Sequence, residues 1–173
     1  MRMIREWLGL TAEREASGGD TIRRIAAELD RMEPDRARYL ASYAFLLARV
    51  AHADHELTPT EVTAMEELVA TKGAIPAEQA ALVVQMARTQ QQLFGGTDDF
   101  LVTRELEKSA TYEQKLALVN CLFAVASADR RILTLEGNEI GRIARELKVE
   151  QADLSRLRAS YRRFIGSVSG EGG

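Results

Sequence analysis

One stretch of this chain is written twice, and a chain built from two copies of a unit must bury one copy against the other. Leu47-Ala-Arg-Val-Ala-His-Ala-Asp54 followed by Glu61 is matched by Leu122-Phe-Ala-Val-Ala-Ser-Ala-Asp129 followed by Glu136. The offset is constant without a gap, since 129 − 54 and 136 − 61 are both 75. Six of the fifteen aligned positions are identical (Leu47/Leu122, Val50/Val125, Ala51/Ala126, Ala53/Ala128, Asp54/Asp129, Glu61/Glu136), where composition alone gives about one or two. Packing accounts for the apolar matches. It does not account for an Asp and a Glu, seven residues apart, recurring in both halves.

The pattern between these segments is helical. Each of the three prolines, Pro34, Pro59 and Pro76, falls where a helix would begin, the position that tolerates a missing N–H. From Asp35, residues Leu40, Tyr43, Ala44, Leu47, Val50 and Ala51 recur at helical spacing, which predicts a helix ending near Asp54. Thr58-Pro59-Thr60-Glu61 has the form of a capping box, with a helix to about Lys72 and Gly73 as its stop. Pro76 opens another to about Leu93, Asp98 caps a shorter one through Lys108, and Thr111-Tyr-Glu-Gln114 forms a second capping box. The helix from Tyr112 to Ala128 is apolar on nearly every side, which predicts a central position. Two further helices span about Leu135 to Leu147 and Glu150 to Ile165. The expected fold is all-α, a single-domain bundle of about seven to eight helices with an internal pseudo-twofold repeat. Residues 35–165 form the bundle; 1–34 hold short helices and a flexible link over Thr11 to Gly19, and 166–173 form a disordered tail.

Length and composition narrow the function classes. A chain of 173 residues with 46% hydrophobic and 28% charged residues is suited to one packed core. A net charge of −3 argues against general nucleic-acid binding. No run of apolar residues is long enough to cross a bilayer, and Met1 to Leu10 lacks the apolar core of a signal peptide, so a cytoplasmic location is expected. The Met1 to Leu10 stripe is short for firm membrane attachment, though peripheral contact stays open. Cys121, the one cysteine, lies in an apolar run and reads as a buried hydrophobe. No nucleophile, base and orienting carboxylate can be assembled, and Gly95-Gly96 is not followed by the Gly-Lys-Ser/Thr of a phosphate loop. An enzyme is not expected.

The acidic loops carry the chemistry that remains. Asp54 and Asp129 fall at helix C-terminal ends, where negative charge opposes the macrodipole by ~0.3 to 1 kcal/mol and calls for a local cap or a cation. Glu61 and Glu136 lie at the start of the next helix, where a negative charge is favourable by itself. Each pair can converge across its hairpin, and all-oxygen ligands suit Ca²⁺, Mg²⁺ or Mn²⁺. The competing reading is that the carboxylates only cap helices. An EF-hand is excluded, because counting from Asp54 puts Pro59 at its glycine and Met65 at its bidentate Glu. His52 and His55 flank Asp54, but Ser127 and Arg130 replace them in the second copy, so they read as surface histidines rather than zinc ligands.

Charge is also segregated along the chain. Five acids (Asp54, Glu56, Glu61, Glu66, Glu67) and no Lys or Arg lie between His52 and Thr71, whereas seven basic residues and three acids lie between Arg142 and Arg163. Solvated helix faces with internal ion pairs, or a docking surface for a protein or an acidic headgroup, are the two readings.

Ala-His-Ala-Asp54 with Thr-Pro-Thr-Glu61, and its echo Ala-Ser-Ala-Asp129 with Glu136, resembles the tellurite-resistance TerB family over roughly Asp35 to Arg163. The resemblance implies an all-helical, cytoplasmic bacterial protein of the stress-response type, with metal binding at Asp54, Glu61, Asp129 and Glu136. The glycine that usually follows the Asp is His55 in one loop and Arg130 in the other. The function expected on this basis is a non-catalytic domain that binds a divalent metal and couples it to a protein partner; the alternative is an interaction module without metal.

Overall fold

The computed structural model describes residues 12–51, 58–89, 99–129 and 134–161, with side chains over 20–50, 58–89, 101–128 and 137–161. Among these residues there are eight α-helices and no strand: α1 (Ala12–Asp30), α2 (Pro34–Ala51), α3 (Pro59–Thr71), α4 (Ala77–Arg88), α5 (Asp99–Ser109), α6 (Tyr112–Ala126), α7 (Thr134–Glu146) and α8 (Gln151–Ser160), with a 3₁₀ turn at Ser127–Asp129 after α6. Pro34 and Pro59 are the first residues of α2 and α3, and Pro76 directly precedes α4. There the ring's fixed φ favours the helix and no hydrogen bond is lost.

Two helices form the centre. α6 is buried at Leu118, Val119 and Cys121 to Ala126, and packs on α2, α3, α7 and α8. α2 is enclosed further still: every residue from Tyr39 to Ala48 is buried, and α1, α4, α5, α6 and α7 all pack against it. Arg36, Arg38 and Arg49 at its ends disguise this in the sequence, since the run between them holds only apolar residues and Ser42. Burying these side chains contributes roughly 1.5–3 kcal/mol for each large aliphatic or aromatic one.

α1 differs from the expected link and short helix. It runs unbroken from Ala12, through the segment Thr11 to Gly19 that the polar composition marked as a connection. The Ala, Glu and Arg residues at its start are good helix formers, and extending a helix already nucleated downstream adds one hydrogen bond per residue. Ile22, Ile25, Ala26 and Leu29 provide the anchoring stripe, against α2 and α4. The stripe over Met1 to Leu10 and the tail from Gly166 lie outside the described residues, as do Gly95 and Gly96.

The joint after α3 is closely fitted. Gly73 accepts no side chain: a Cβ there would stand 1.8 Å from the Tyr43 hydroxyl oxygen and 2.6 Å from the Val69 carbonyl oxygen. Tyr43 is fully buried and edge-on to Tyr39, and its hydroxyl has no hydrogen-bond partner. Burial, and then the adjacent Cys121, push the Tyr43 phenol far above its ordinary range. Burial likewise raises the Cys121 thiol to about 11, against which the neighbouring Tyr43 works only weakly. Cys121 is therefore a neutral core residue, as its apolar neighbours suggest.

Tyrosines fix α8 at both ends. Tyr112 donates to Asp153 at 2.6 Å and accepts from the Glu150 amide at 2.9 Å. Tyr161 donates to Asn120 Oδ1 at 2.8 Å and stacks on Phe123 with centroids 5.7 Å apart.

Candidate functional site

Three pairs of helix boundaries share the spacing of the sequence repeat. α2 and α6 end at Ala51 and Ala126, α3 and α7 begin at Pro59 and Thr134, and α3 and α7 end at Thr71 and Glu146. Each of these pairs is 75 residues apart, the offset of the sequence repeat. Glu61 and Glu136 are consequently both the third residue of their helix. Asp129 closes the 3₁₀ turn that follows α6. Asp54, the equivalent residue after α2, lies outside the described residues, as do His52 and His55 and the side chains of Asp129 and Glu136.

Some helix pairs in the two halves pack in corresponding ways. α2 packs on α4 as α6 packs on α8; α3 on α4 as α7 on α8; α3 on α6 as α7 on α2. α6 lies extensively on α7, whereas α2 has no contact of that extent with α3. Where α7 lies along the helix before it, α3 rests instead on α4 and α6.

Glu61 is the one member of the candidate set whose side chain is described. Its Oε1 accepts from the Thr58 amide at 2.9 Å, while the Glu61 amide donates to Thr58 Oγ1 at 3.1 Å. This is the capping box expected from Thr58-Pro59-Thr60-Glu61, and it satisfies two amides that the first turn leaves without helical partners. At Thr111 the same geometry recurs with Gln114, at 2.9 Å and 3.1 Å. Capping therefore works equally with a neutral amide. The charge at Glu61 is surplus to it, and among the described residues only one of its two carboxylate oxygens is engaged.

A basic and acidic network ties α7 in place. Arg49, near the end of α2, reaches Glu139 at 3.5 Å. Arg142 donates to Glu139 at 2.6 Å and to Glu146 at 2.8 Å, and Thr103 of α5 donates to Glu146 at 2.7 Å. Partial burial works to lower the Arg142 pKa, but the hydrogen bonds and charges of both glutamates outweigh it and the net shift is upward. The i, i+3 and i, i+4 spacings of Glu139, Arg142 and Glu146 were the readable signal. The link from Arg49, ninety positions away in sequence, left none.

Among the described residues, no group of three or more His, Cys, Asp or Glu side chains is placed to hold a metal ion. A cleft of about 340 Å³ opens beside the start of α2, lined in part by Arg36, Arg38, Tyr39 and Glu105. Its two arginines are engaged within the protein: Arg38 pairs with Glu105 at 3.1 Å, and Arg36 bonds Gln79 and lies 5.3 Å over the Tyr39 ring. Arg36 and Arg38 therefore brace α2 against α4 and α5. No described helix is long and apolar enough to cross a membrane.

The family model described as "Tellurite resistance protein TerB" matches residues 39–159, from the buried part of α2 to the last turn of α8. No curated protein and no solved structure matches the chain.

Proposed function

The chain belongs to the TerB family, and from that premise we propose that it is a non-catalytic, cytoplasmic stress-response domain of the tellurite-resistance type. In this reading a hard divalent cation (Ca²⁺, Mg²⁺ or Mn²⁺) is held by Asp54 and Glu61, with Asp129 and Glu136 as the equivalent pair. Occupancy is coupled to a protein partner. The observation that carries the reading is the surplus charge of Glu61: Gln114 performs the same capping with no charge, yet the repeat keeps Asp and Glu in both halves. Two carboxylates brought toward one turn repel each other unless a cation intervenes, and oxygen ligands select the hard ions.

The second reading, an interaction module without metal, draws on the same capping box, because Glu61 already has a structural task there. Thermal unfolding with each ion separates the two. A ligand confined to the folded state stabilises it by ~2.7 kcal/mol at one hundred times its Kd, so one of the three ions should raise the wild-type Tm and leave Asp54→Asn/Glu61→Gln unmoved. Equal shifts in both proteins, or none with any ion, would end the metal reading. Partner recovery from cells, with and without chelator, then tests the coupling: recovery indifferent to chelator and to the double substitution leaves the plain interaction module.

A further inference from the structure

The described basic residues of α7 and α8 fall into two groups. Arg142 is held by Glu139 and Glu146, and Arg156 by Asp153 at 2.7 Å; Lys148, between the helices, lies 4.0 Å from Glu107. Arg145 of α7 and Arg158 of α8 have no ion pair or side-chain hydrogen bond among the described residues. Their sequence neighbours explain this. At three and four positions either side, Arg145 has Gly141, Arg142, Lys148 and Val149, and Arg158 has Leu154, Ser155, Tyr161 and Arg162. No carboxylate is within helical reach of either.

The two side chains nevertheless converge. A Cβ on Gly141 would stand 3.0 Å from Nη2 of Arg158 and 3.4 Å from Nη1 of Arg145, so the tips are no farther apart than those two distances together. The glycine is buried on α7, and the missing side chain leaves a notch that guanidiniums from two helices fill. Like charges brought this close repel, and the pair lies in the segment between Arg142 and Arg163 that holds seven basic residues against three acids.

We propose that Arg145 and Arg158, folded over Gly141, form an oxyanion site for a phosphate-type dianion. Two guanidiniums supply two positive charges and several N–H donors in planar forks that match the oxygen edges of phosphate. A tetrahedral oxyanion accepting charge-assisted bonds about 2.8 Å long spans a gap of this size. The same chemistry is offered by free phosphate and by the phosphate of an acidic lipid headgroup, and the basic stretch continuing through Arg162 and Arg163 suits either.

The test titrates the full chain with inorganic phosphate by calorimetry, in parallel with sedimentation on phosphatidic acid and on phosphatidylcholine vesicles. Wild-type protein should bind saturably, and Arg145→Gln or Arg158→Gln should weaken binding about tenfold or more, the loss of one charge-assisted contact. Arg156→Gln, which removes a charge already engaged by Asp153, should change it little. Gly141→Ala fills the notch while favouring the helix, so it should weaken binding without lowering the melting temperature and thereby exclude a folding defect. Binding of free phosphate assigns the site to a soluble oxyanion. Binding only of phosphatidic acid vesicles, with the same dependence on Arg145, Arg158 and Gly141, assigns it to a headgroup. No saturable binding of either, or equal weakening by Arg156→Gln, overturns the proposal, because diffuse charge would then suffice.

Discussion

α3 and α7 occupy matching places in the repeat, are each 13 residues long and each carry a glutamate at their third residue, yet they are held in different ways. α7 buries Ile140, Ile143 and Ala144, lies on α2, α5, α6 and α8, and is tied by Arg49, Thr103 and its own Arg142 through Glu139 and Glu146. α3 buries only Val69 fully, rests Val62, Met65 and Leu68 partly on the core, and is fixed at its two ends by the Thr58 cap and by Gly73 against Tyr43. A helix held by its ends and by a shallow stripe opens at lower free energy than one held along its length. By this measure α3 should open more readily than α7.

The largest expected effect lies at the two C-terminal joints, where adding a side chain to one and removing a side chain from the other have opposite signs. Gly73→Ala forces a methyl into the Tyr43 hydroxyl and the Val69 carbonyl, and should lower stability by about 2–4 kcal/mol. Pairing it with Tyr43→Phe, which deletes an unpartnered hydroxyl, should recover part of the loss, though the carbonyl contact remains. After α7 the corresponding joint is a Schellman turn: Val149 donates to the Ala144 carbonyl at 2.9 Å and Lys148 to Arg145 at 3.0 Å, with Lys148 at φ 65°. A non-glycine residue there is strained by roughly 1–2 kcal/mol, and the long contact of its exposed amine with Glu107 offsets little of it. Lys148→Gly should therefore stabilise by about 1 kcal/mol. Urea unfolding of the set decides; a neutral Gly73→Ala would mean that the joint of α3 is no anchor and would remove half of the contrast.

Next in size is the N-terminal cap of α3. Thr58→Ala removes the acceptor for the Glu61 amide and should cost about 1 kcal/mol. Because α3 has few buried contacts, the loss should appear as faster hydrogen exchange of amides over 60–65, with α7 amides unchanged. Uniform acceleration across both helices would show that they open together and break the comparison.

How far these differences were legible depended on their range in sequence. The capping boxes at Thr58 and Thr111, the stop at Gly73 and the placement of the prolines are set within a few residues and were readable directly. So were the central place of α6 and the inertness of Cys121. The equal centrality of α2 was not, because arginines at both ends give its sequence a polar frame although they reach outward to Gln79, Glu105 and Glu139. The extent of α1 was missed for the opposite reason: local polarity suggested a link, while helix propensity continued the chain. The tie from Arg49 to Glu139 and the meeting of Arg145 with Arg158 arise only when distant helices pack. The repeat was visible in residues, but the different support of α3 and α7 is a property of the packed molecule.

The smallest expected effect is the most discriminating. Glu61→Gln retains the hydrogen-bond pattern of the capping box, since Gln114 makes the same two contacts at the same distances, and removes only a charge near a helix N-terminus. Without added cation the change should stay within ~0.3 to 1 kcal/mol, the range of a dipole interaction at an exposed terminus, and high salt should reduce it further. If the carboxylate serves only as a cap, adding Ca²⁺, Mg²⁺ or Mn²⁺ leaves wild type and Glu61→Gln equally separated. If it is a ligand, the gap between them widens with ion concentration, because the wild type alone continues to gain from binding. Glu136→Gln, in the helix held along its length, sharpens the comparison: a gap that widens for Glu61→Gln and not for Glu136→Gln places the responsive site in the first hairpin. Equal widening for both would instead give the two halves the same task, despite their different anchoring.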